Sequence, residues 1–180
     1  MVYVFLANGF EEVEALSTVD ILRRAGQEVL TVGVGGREIV GAHHIPVTAD
    51  VSEADLNMAQ RPADMVVLPG GMPGTLHLER SATVRAAVND CVRRGKYLAA
   101  ICAAPSVLGH WGLLNGHTAT CFPGFEKDLH CTVSKESVVQ SGNVITARGA
   151  GVAVDFALKL TAVLCGPEKA KEVKESIQCV

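Results

Sequence analysis

Cys102 closes a continuously apolar run, Tyr97-Leu-Ala-Ala-Ile101, and is followed by Ala103-Ala104-Pro105. Such a run reads as a central parallel strand, and proline suits the first turn of a helix, where its missing N–H is not needed. The bend from strand to helix therefore falls at or beside the cysteine. A side chain on that elbow projects above the sheet, small neighbours admit the tight turn, and the helix N-terminus below favours a thiolate. The chemistry implied is that of a reactive thiol. The plainer alternative is a structural cysteine, since free cysteine is among the most buried residue types. Cys91, Cys121, Cys131, Cys165 and Cys179 lack the elbow setting.

Two other stretches carry groups that could work with a thiol. Glu11, Glu12 and Glu14 open the first helix, and Glu14 lies within about 20° of Ile21 and Ala25 on a wheel of about 100° per residue, inside the apolar arc. A carboxylate there is expected to be partly buried. The competing explanation is three acids that only complement a helix dipole. Pro69-Gly70-Gly71-Met72-Pro73-Gly74 is a turn whose backbone N–H groups can face a ligand, as an oxyanion site requires; the alternative is an ordinary loop, and no P-loop lysine follows. His43-His44 reads as an exposed loop without a third metal ligand at recognisable spacing, and His117, Cys121, His130 and Cys131 fit no zinc pattern. No metal is expected. Gly149-Ala150-Gly151 resembles a dinucleotide fingerprint until Val154 takes the third small position, which argues against NAD.

The elements that must position these groups alternate. Strands are expected at Val2 to Leu6, Glu28 to Val32, Met65 to Leu68, Tyr97 to Ile101 and Thr118 to Phe122, with hairpins at Glu38 to Val40 and at Val138-Val139 with Val144 to Ala147. Helices are expected from near Glu11 to Gly26, Ser52 to Gln60 (Ser52 as N-cap and Asp55 completing a capping box), Ser81 to Gly95, Val107 to Leu114, Val152 to Leu164 and Glu168 to Ile177. Alternation of this kind implies an α/β fold, a mostly parallel sheet with helices on both faces, whose ligands bind outside the carboxyl ends of the strands. The Glu14 region, Gly70-Gly71, Cys102 and Arg148 all follow such ends, so they are expected to converge on one cleft.

A chain of 180 residues, 48% hydrophobic and 19% charged, fits one domain over residues 1–180 and excludes disorder. Its net charge of −3 gives no reason to expect nucleic acid or an anionic membrane as partner. The six cysteines form no CxxC pair, the N-terminus reads as a strand rather than a signal peptide, and no apolar run reaches membrane-spanning length. A cytoplasmic protein with reduced thiols is expected.

Asn8-Gly-Phe-Glu-Glu-Val-Glu14, Val67-Leu-Pro-Gly-Gly71, Ala99-Ala-Ile-Cys-Ala-Ala-Pro105 and Ala147-Arg-Gly-Ala-Gly151, in that order along the whole chain, resemble the ThiJ/PfpI superfamily. The likeness is to the branch containing the parkinsonism-associated protein deglycase and bacterial ThiJ (YajL) proteins. It implies a flavodoxin-like three-layer sandwich, a homodimer and a nucleophile elbow whose cysteine oxidises readily to sulfinic acid. It further implies a cofactor-free glyoxalase or deglycase acting on methylglyoxal, related 2-oxoaldehydes or their thiol and amine adducts, with a role in oxidative and carbonyl stress. A redox-sensing or chaperone protein is the alternative, and a cysteine hydrolase or amidotransferase a further one. Carried over by position, Cys102 is the nucleophile, Glu14 its acidic partner, and Gly70, Gly71 and Ala103 supply backbone N–H groups. Arg24 and His43 match basic positions near a small-anion site in the family, and Arg148 joins them as a possible anion or substrate contact. Two departures matter: Ala103 stands where PfpI-type peptidases have histidine, and Phe122 where some relatives have histidine before the proline.

Overall fold

The sheet is built from strands whose alternate residues face two different cores. In the computed structural model, which describes residues 1–179, the chain runs β1 (Val2–Ala7), α1 (Glu12–Arg24), β2 (Val29–Val34), β3 (Glu38–Val40), β4 (Pro46–Thr48), β5 (Val51–Ser52) and β6 (Met65–Leu68). It continues through α2 (Gly74–Arg80), α3 (Ala82–Arg93), β7 (Tyr97–Ile101), α4 (Pro105–His110), β8 (Thr118–Ala119), β9 (Thr132–Val133), β10 (Val138–Ser141), β11 (Val144–Ala147), α5 (Ala153–Cys165) and α6 (Pro167–Ser176). Seven strands form one sheet in the order β10-β11-β7-β6-β1-β2-β5, parallel except for the β10–β11 hairpin.

Tyr3, Phe5 and Ala7 of β1 point to one face with Val66, Leu68, Leu98 and Ala100, where α3 and α4 add Val84, Val88 and Val107. Val2, Val4 and Leu6 point to the other, with Met65, Val67, Ala99 and Ile101, against Ala15, Val19 and Leu22 of α1 and Phe156 and Leu160 of α5. The period-2 split explains why these strands read as continuous apolar runs: both sides are covered. The result is the expected flavodoxin-like three-layer sandwich. Cys91 packs in the first core and is fully buried. Among the described residues, no helix is long and apolar enough to cross a membrane.

Several local expectations are corrected. Ser52 to Gln60 is not a helix: Val51 and Ser52 pair with Val32 and Gly33 as an edge strand, and Ser52 Oγ donates to Asp55 Oδ2 at 2.6 Å instead of capping backbone N–H groups. The strand from Thr118 stops at Ala119 because the next donors are drawn away, Thr120 N to Thr146 Oγ1 at 2.9 Å and Phe122 N to Cys102 O at 2.8 Å. The helix after the elbow spans only Pro105–His110, ahead of Gly112 at φ +73°. A 3₁₀ turn at Ala150–Val152 precedes α5, so that helix starts at Ala153. Ser81 caps α3 as expected, accepting from Val84 N at 3.1 Å, and the helix buries Val84, Val88 and Cys91 while Val92 is exposed.

The β3–β4 hairpin is tied to the start of α1 by Glu12. This carboxylate is 4% exposed, accepts from His43 N at 2.8 Å and His43 Nδ1 at 2.9 Å, and lies so close to Gly41 that a side chain there would collide with it. Removing the acceptor takes the partner from the His43 backbone donor and releases the exposed His43 imidazole to solvent. Glu12→Ala is expected to lower stability by about 1–3 kcal/mol, measured by urea unfolding, with greater amide exchange confined to residues 41–46.

Candidate functional site

Strand order decides which chain ends meet. With β11, β7, β6 and β1 side by side, the loops leaving Ala147, Ile101, Leu68 and Ala7 open on the same edge. Connections run outward from the β1–β6 pair in both directions, so the crevice at their carboxyl ends is the topological switch point.

Cys102 occupies the elbow in the left-handed region, φ +65°, a conformation that costs a non-glycine residue about 1–3 kcal/mol. Hydrogen bonds on both sides hold it there: its N–H donates to Ala147 O at 2.9 Å, and its carbonyl accepts from Phe122 N at 2.8 Å. Ala100, Ala103 and Ala104 are buried around the turn, and Pro105 is the first helical residue. The thiol is half-buried and receives the N–H groups of Ala103 and Gly71.

The three acids opening α1 have three different tasks. Glu11 caps the helix, its Oε2 accepting from Glu14 N at 2.8 Å. Glu12 holds the hairpin, a role that nothing in its local sequence distinguishes from dipole complementation. Glu14, 1% exposed, enters the crevice: its Oε2 accepts from Gly70 N at 2.8 Å, its carboxyl faces the Cys102 thiol within hydrogen-bonding reach, and Oε1 is buried without a partner. Gly70 is required by this approach. A Cβ at that position would lie 2.6 Å from Cys102 Cβ and 2.8 Å from Glu14 Oε2.

Burial pushes the Glu14 carboxyl up to about 7, although the Gly70 N–H and the thiol partly offset it. Burial, then the charge of Glu14, pushes the Cys102 thiol up to about 12 against the opposing Ala103 and Gly71 donors. The expectation of a thiolate favoured by the helix terminus is thus corrected. The pair is coupled: the first proton leaves near neutrality, and the second must leave a site that already holds a negative charge.

Arg148 follows β11 at the rim of a cavity of about 380 Å³ lined also by Phe122 and Gly149. A Cβ on Gly149 would sit 3.9 Å from Cys102 Sγ and 3.2 Å from Phe122 Cδ2, and the Phe122 N–H donates to Cys102 O, so two lining residues of this cavity flank Cys102. Phe122, 47% exposed, is an apolar wall there; its proximity depends on the long return of the chain and has no local signal. Arg24 is not brought to the crevice: ten residues beyond Glu14 on α1, about 15 Å at 1.5 Å per residue, it pairs with Asp20 at 2.7 Å. His43 is committed to Glu12, which raises its pKa, and Glu11, Glu12 and His43 place three potential ligand atoms within 4.8 Å, a grouping the sequence spacing concealed. His110 is engaged by Glu79 at 2.7 Å, His117 by Ser141 O at 2.9 Å, and His130 is exposed.

The Glu14 shift has a stability consequence. Its folded value near 7 exceeds the ordinary 4.5, so the folded chain holds a proton that the unfolded chain releases, and the associated stability is complete below about pH 4.5 and lost as pH rises through about 7. The loss amounts to about 3 kcal/mol. Glu14→Gln is expected to abolish that dependence, read as urea midpoints at pH 4.5 and 8.

The chain is similar to known proteins along nearly all of its length. Residues 1–163 match the DJ-1/PfpI family. Protein dj-1beta of Drosophila melanogaster is 38% identical over 178 residues, covering 97% of this chain and 94% of that protein. The glutathione-independent glyoxalase DJR-1.2 of Caenorhabditis elegans is 33% identical over 162 residues, 88% of this chain and 85% of that one. The structure of oxidized Toxoplasma gondii DJ-1 superposes with a TM-score of 0.93 at 34% identity, over 98% of this chain and 97% of the other. With a matching family profile and relatives of this identity along nearly all of its length, the chain belongs to the DJ-1/PfpI family.

Proposed function

We propose that the protein is a cofactor-free glyoxalase acting on methylglyoxal and related 2-oxoaldehydes, and that the same chemistry extends to early adducts of these aldehydes on thiols and amines. The observation carrying this reading is the facing pair of Cys102 and Glu14, a thiol and a carboxyl titrating near 7, framed by the N–H groups of Gly70, Gly71 and Ala103. The relative described as a glutathione-independent glyoxalase supports the reaction class.

Sulfur adds to the aldehyde carbon while the thiol proton reaches the carbonyl oxygen by way of Glu14, giving a hemithioacetal. Glu14, again a carboxylate, removes the remaining hydrogen of that carbon as a proton. The electrons move to the neighbouring carbonyl to form an enediol, whose developing charge the Gly71 and Ala103 donors oppose. Return of the proton to the adjacent carbon leaves a thioester of a 2-hydroxy acid. Water then cleaves it to lactate and free Cys102. No histidine is required, in keeping with Ala103 and Phe122 at the two positions where other family members carry one.

Cys102→Ser is expected to abolish lactate formation from methylglyoxal, and Glu14→Gln to slow it by about 10²–10⁴-fold. The wild-type rate should rise with pH through about 7, as Glu14 loses its proton. Wild-type turnover in either variant would sink the reading.

One observation favours a second role at the same sulfur. Glu14 Oε1 is buried with no partner, and when protonated it becomes a donor suited to a sulfinate oxygen. Two equivalents of peroxide would each deliver one oxygen to Cys102 and leave as water, taking the sulfur through sulfenic to sulfinic acid. Intact-mass and peptide analysis after graded peroxide is expected to show two oxygens gained at Cys102. Selective gain elsewhere, with Cys102 unmodified, would exclude this sensor role.

A further inference from the structure

Methylglyoxal has five heavy atoms and fills on the order of 100 Å³, judged against about 30 Å³ for a water in the liquid. The cavity beside Cys102 measures about 380 Å³, a size that takes a considerably larger molecule. Its walls are mainly apolar or backbone, including Phe122, Pro123, Gly149 and Val152, and Arg148 is the one charged side chain among its lining residues. The Arg148 backbone is fixed by its N–H to Ser137 O at 3.0 Å and by the Val138–Ala147 pair of β10 and β11. Among the described residues its guanidinium forms no ion pair or hydrogen bond, unlike Arg23, Arg24, Arg61, Arg93 and Arg94, each of which pairs with an acid.

The surroundings keep this cation available. A neighbouring cavity of about 390 Å³ shares Arg148 and Pro123 and contributes Lys135 and Glu126. Glu126 accepts from Gly124 N at 2.8 Å and, among the described residues, forms no ion pair with the guanidinium. An exposed, unengaged planar fork on the wall of this cavity suits a carboxylate, which it can bind through two parallel hydrogen bonds.

We propose that Arg148 makes the cavity beside Cys102 an anion-recognising subsite, so that the preferred substrates are 2-oxoaldehydes bearing a carboxylate on the side of the molecule away from the reacting carbon. This deepens the glyoxalase reading and rests on it only for turnover. The positive charge places the tail, while the Cys102–Glu14 pair acts on the same aldehyde head in every case.

The test compares methylglyoxal with 4,5-dioxopentanoate, which has the same head and a carboxylate two methylenes away. In the wild-type protein, kcat/KM is expected to favour the anionic substrate. Arg148→Gln should lower the ratio of the two kcat/KM values about tenfold, with the change in KM, and Arg148→Lys should recover part of it. A second arm needs no turnover: 4-oxopentanoate, a ketone acid without the aldehyde, should slow iodoacetamide alkylation of Cys102 in the wild type and several-fold less in Arg148→Gln. Equal protection in both proteins, or an unchanged kcat/KM ratio, would overturn the subsite. Protection that depends on Arg148 in a protein that turns over neither aldehyde would uphold the subsite and remove the glyoxalase reading instead.

Discussion

Three separate chain segments meet at Gly70. Its N–H binds Glu14 Oε2 at 2.8 Å, its carbonyl receives Glu11 N at 2.9 Å, and its open Cα face lets Cys102 Cβ come in where a methyl would be 2.6 Å away. The first helix, the loop after β6 and the elbow after β7 are therefore fixed relative to one another by one residue without a side chain. Any larger residue would force the elbow away from the acid. The separation of thiol and carboxyl, and with it their mutual effect on ionisation, depends on that contact.

An arrangement of this kind works against stability locally. A left-handed non-glycine residue and a buried carboxyl with an unpartnered oxygen each cost on the order of 1–3 kcal/mol. The surrounding framework can bear this because the sheet beneath is fully covered: β1, β6 and most of β7 are buried on both faces, and α1 and α5 close the layer under the site. Strain is concentrated at the carboxyl ends of the strands, where the chain leaves the sheet and local geometry is set by a few turn residues. The cores need not deform to hold it.

How much could be read beforehand followed the range of the interaction involved. The elbow was legible because an apolar run, three alanines and Pro105 lie within nine consecutive residues, and Glu14 because helical periodicity places it with Ile21 and Ala25. Helix α2 was missed, since seven residues after a glycine-rich turn, with no side-chain cap, carry almost no periodic signal. Ser52 to Gln60 showed a capping pattern, but parallel pairing with β2 claimed Ser52 first. The Glu12–His43 tie and the placing of Phe122 beside Cys102 join residues some 20 to 31 positions apart, and no local pattern encodes either. The ionisation of the thiol was misjudged for the same reason: a helix terminus is visible in sequence, whereas burial and a facing carboxyl arise only from the assembled fold.

Pairing a thiol with a carboxyl instead of an imidazole limits the chemistry such a site can favour. Thiol and carboxyl are both anionic acids, so burial and mutual repulsion keep one proton in the pair above neutrality, and that proton can pass from sulfur to oxygen as a bond forms at sulfur. An imidazole would become a cation on taking the thiol proton and would then be poised to protonate a departing amine, the step that peptide hydrolysis requires. Glu14 becomes a neutral acid and not a cation on taking that proton, and His110 is engaged by Glu79, His117 by Ser141, while His130 is exposed. Moving a proton between neighbouring carbons needs no amine to leave. It needs a base near neutrality, a donor-lined oxygen position and a sulfur that adds reversibly, the demands that the proposed reaction makes of Glu14, the Gly71 and Ala103 donors and Cys102.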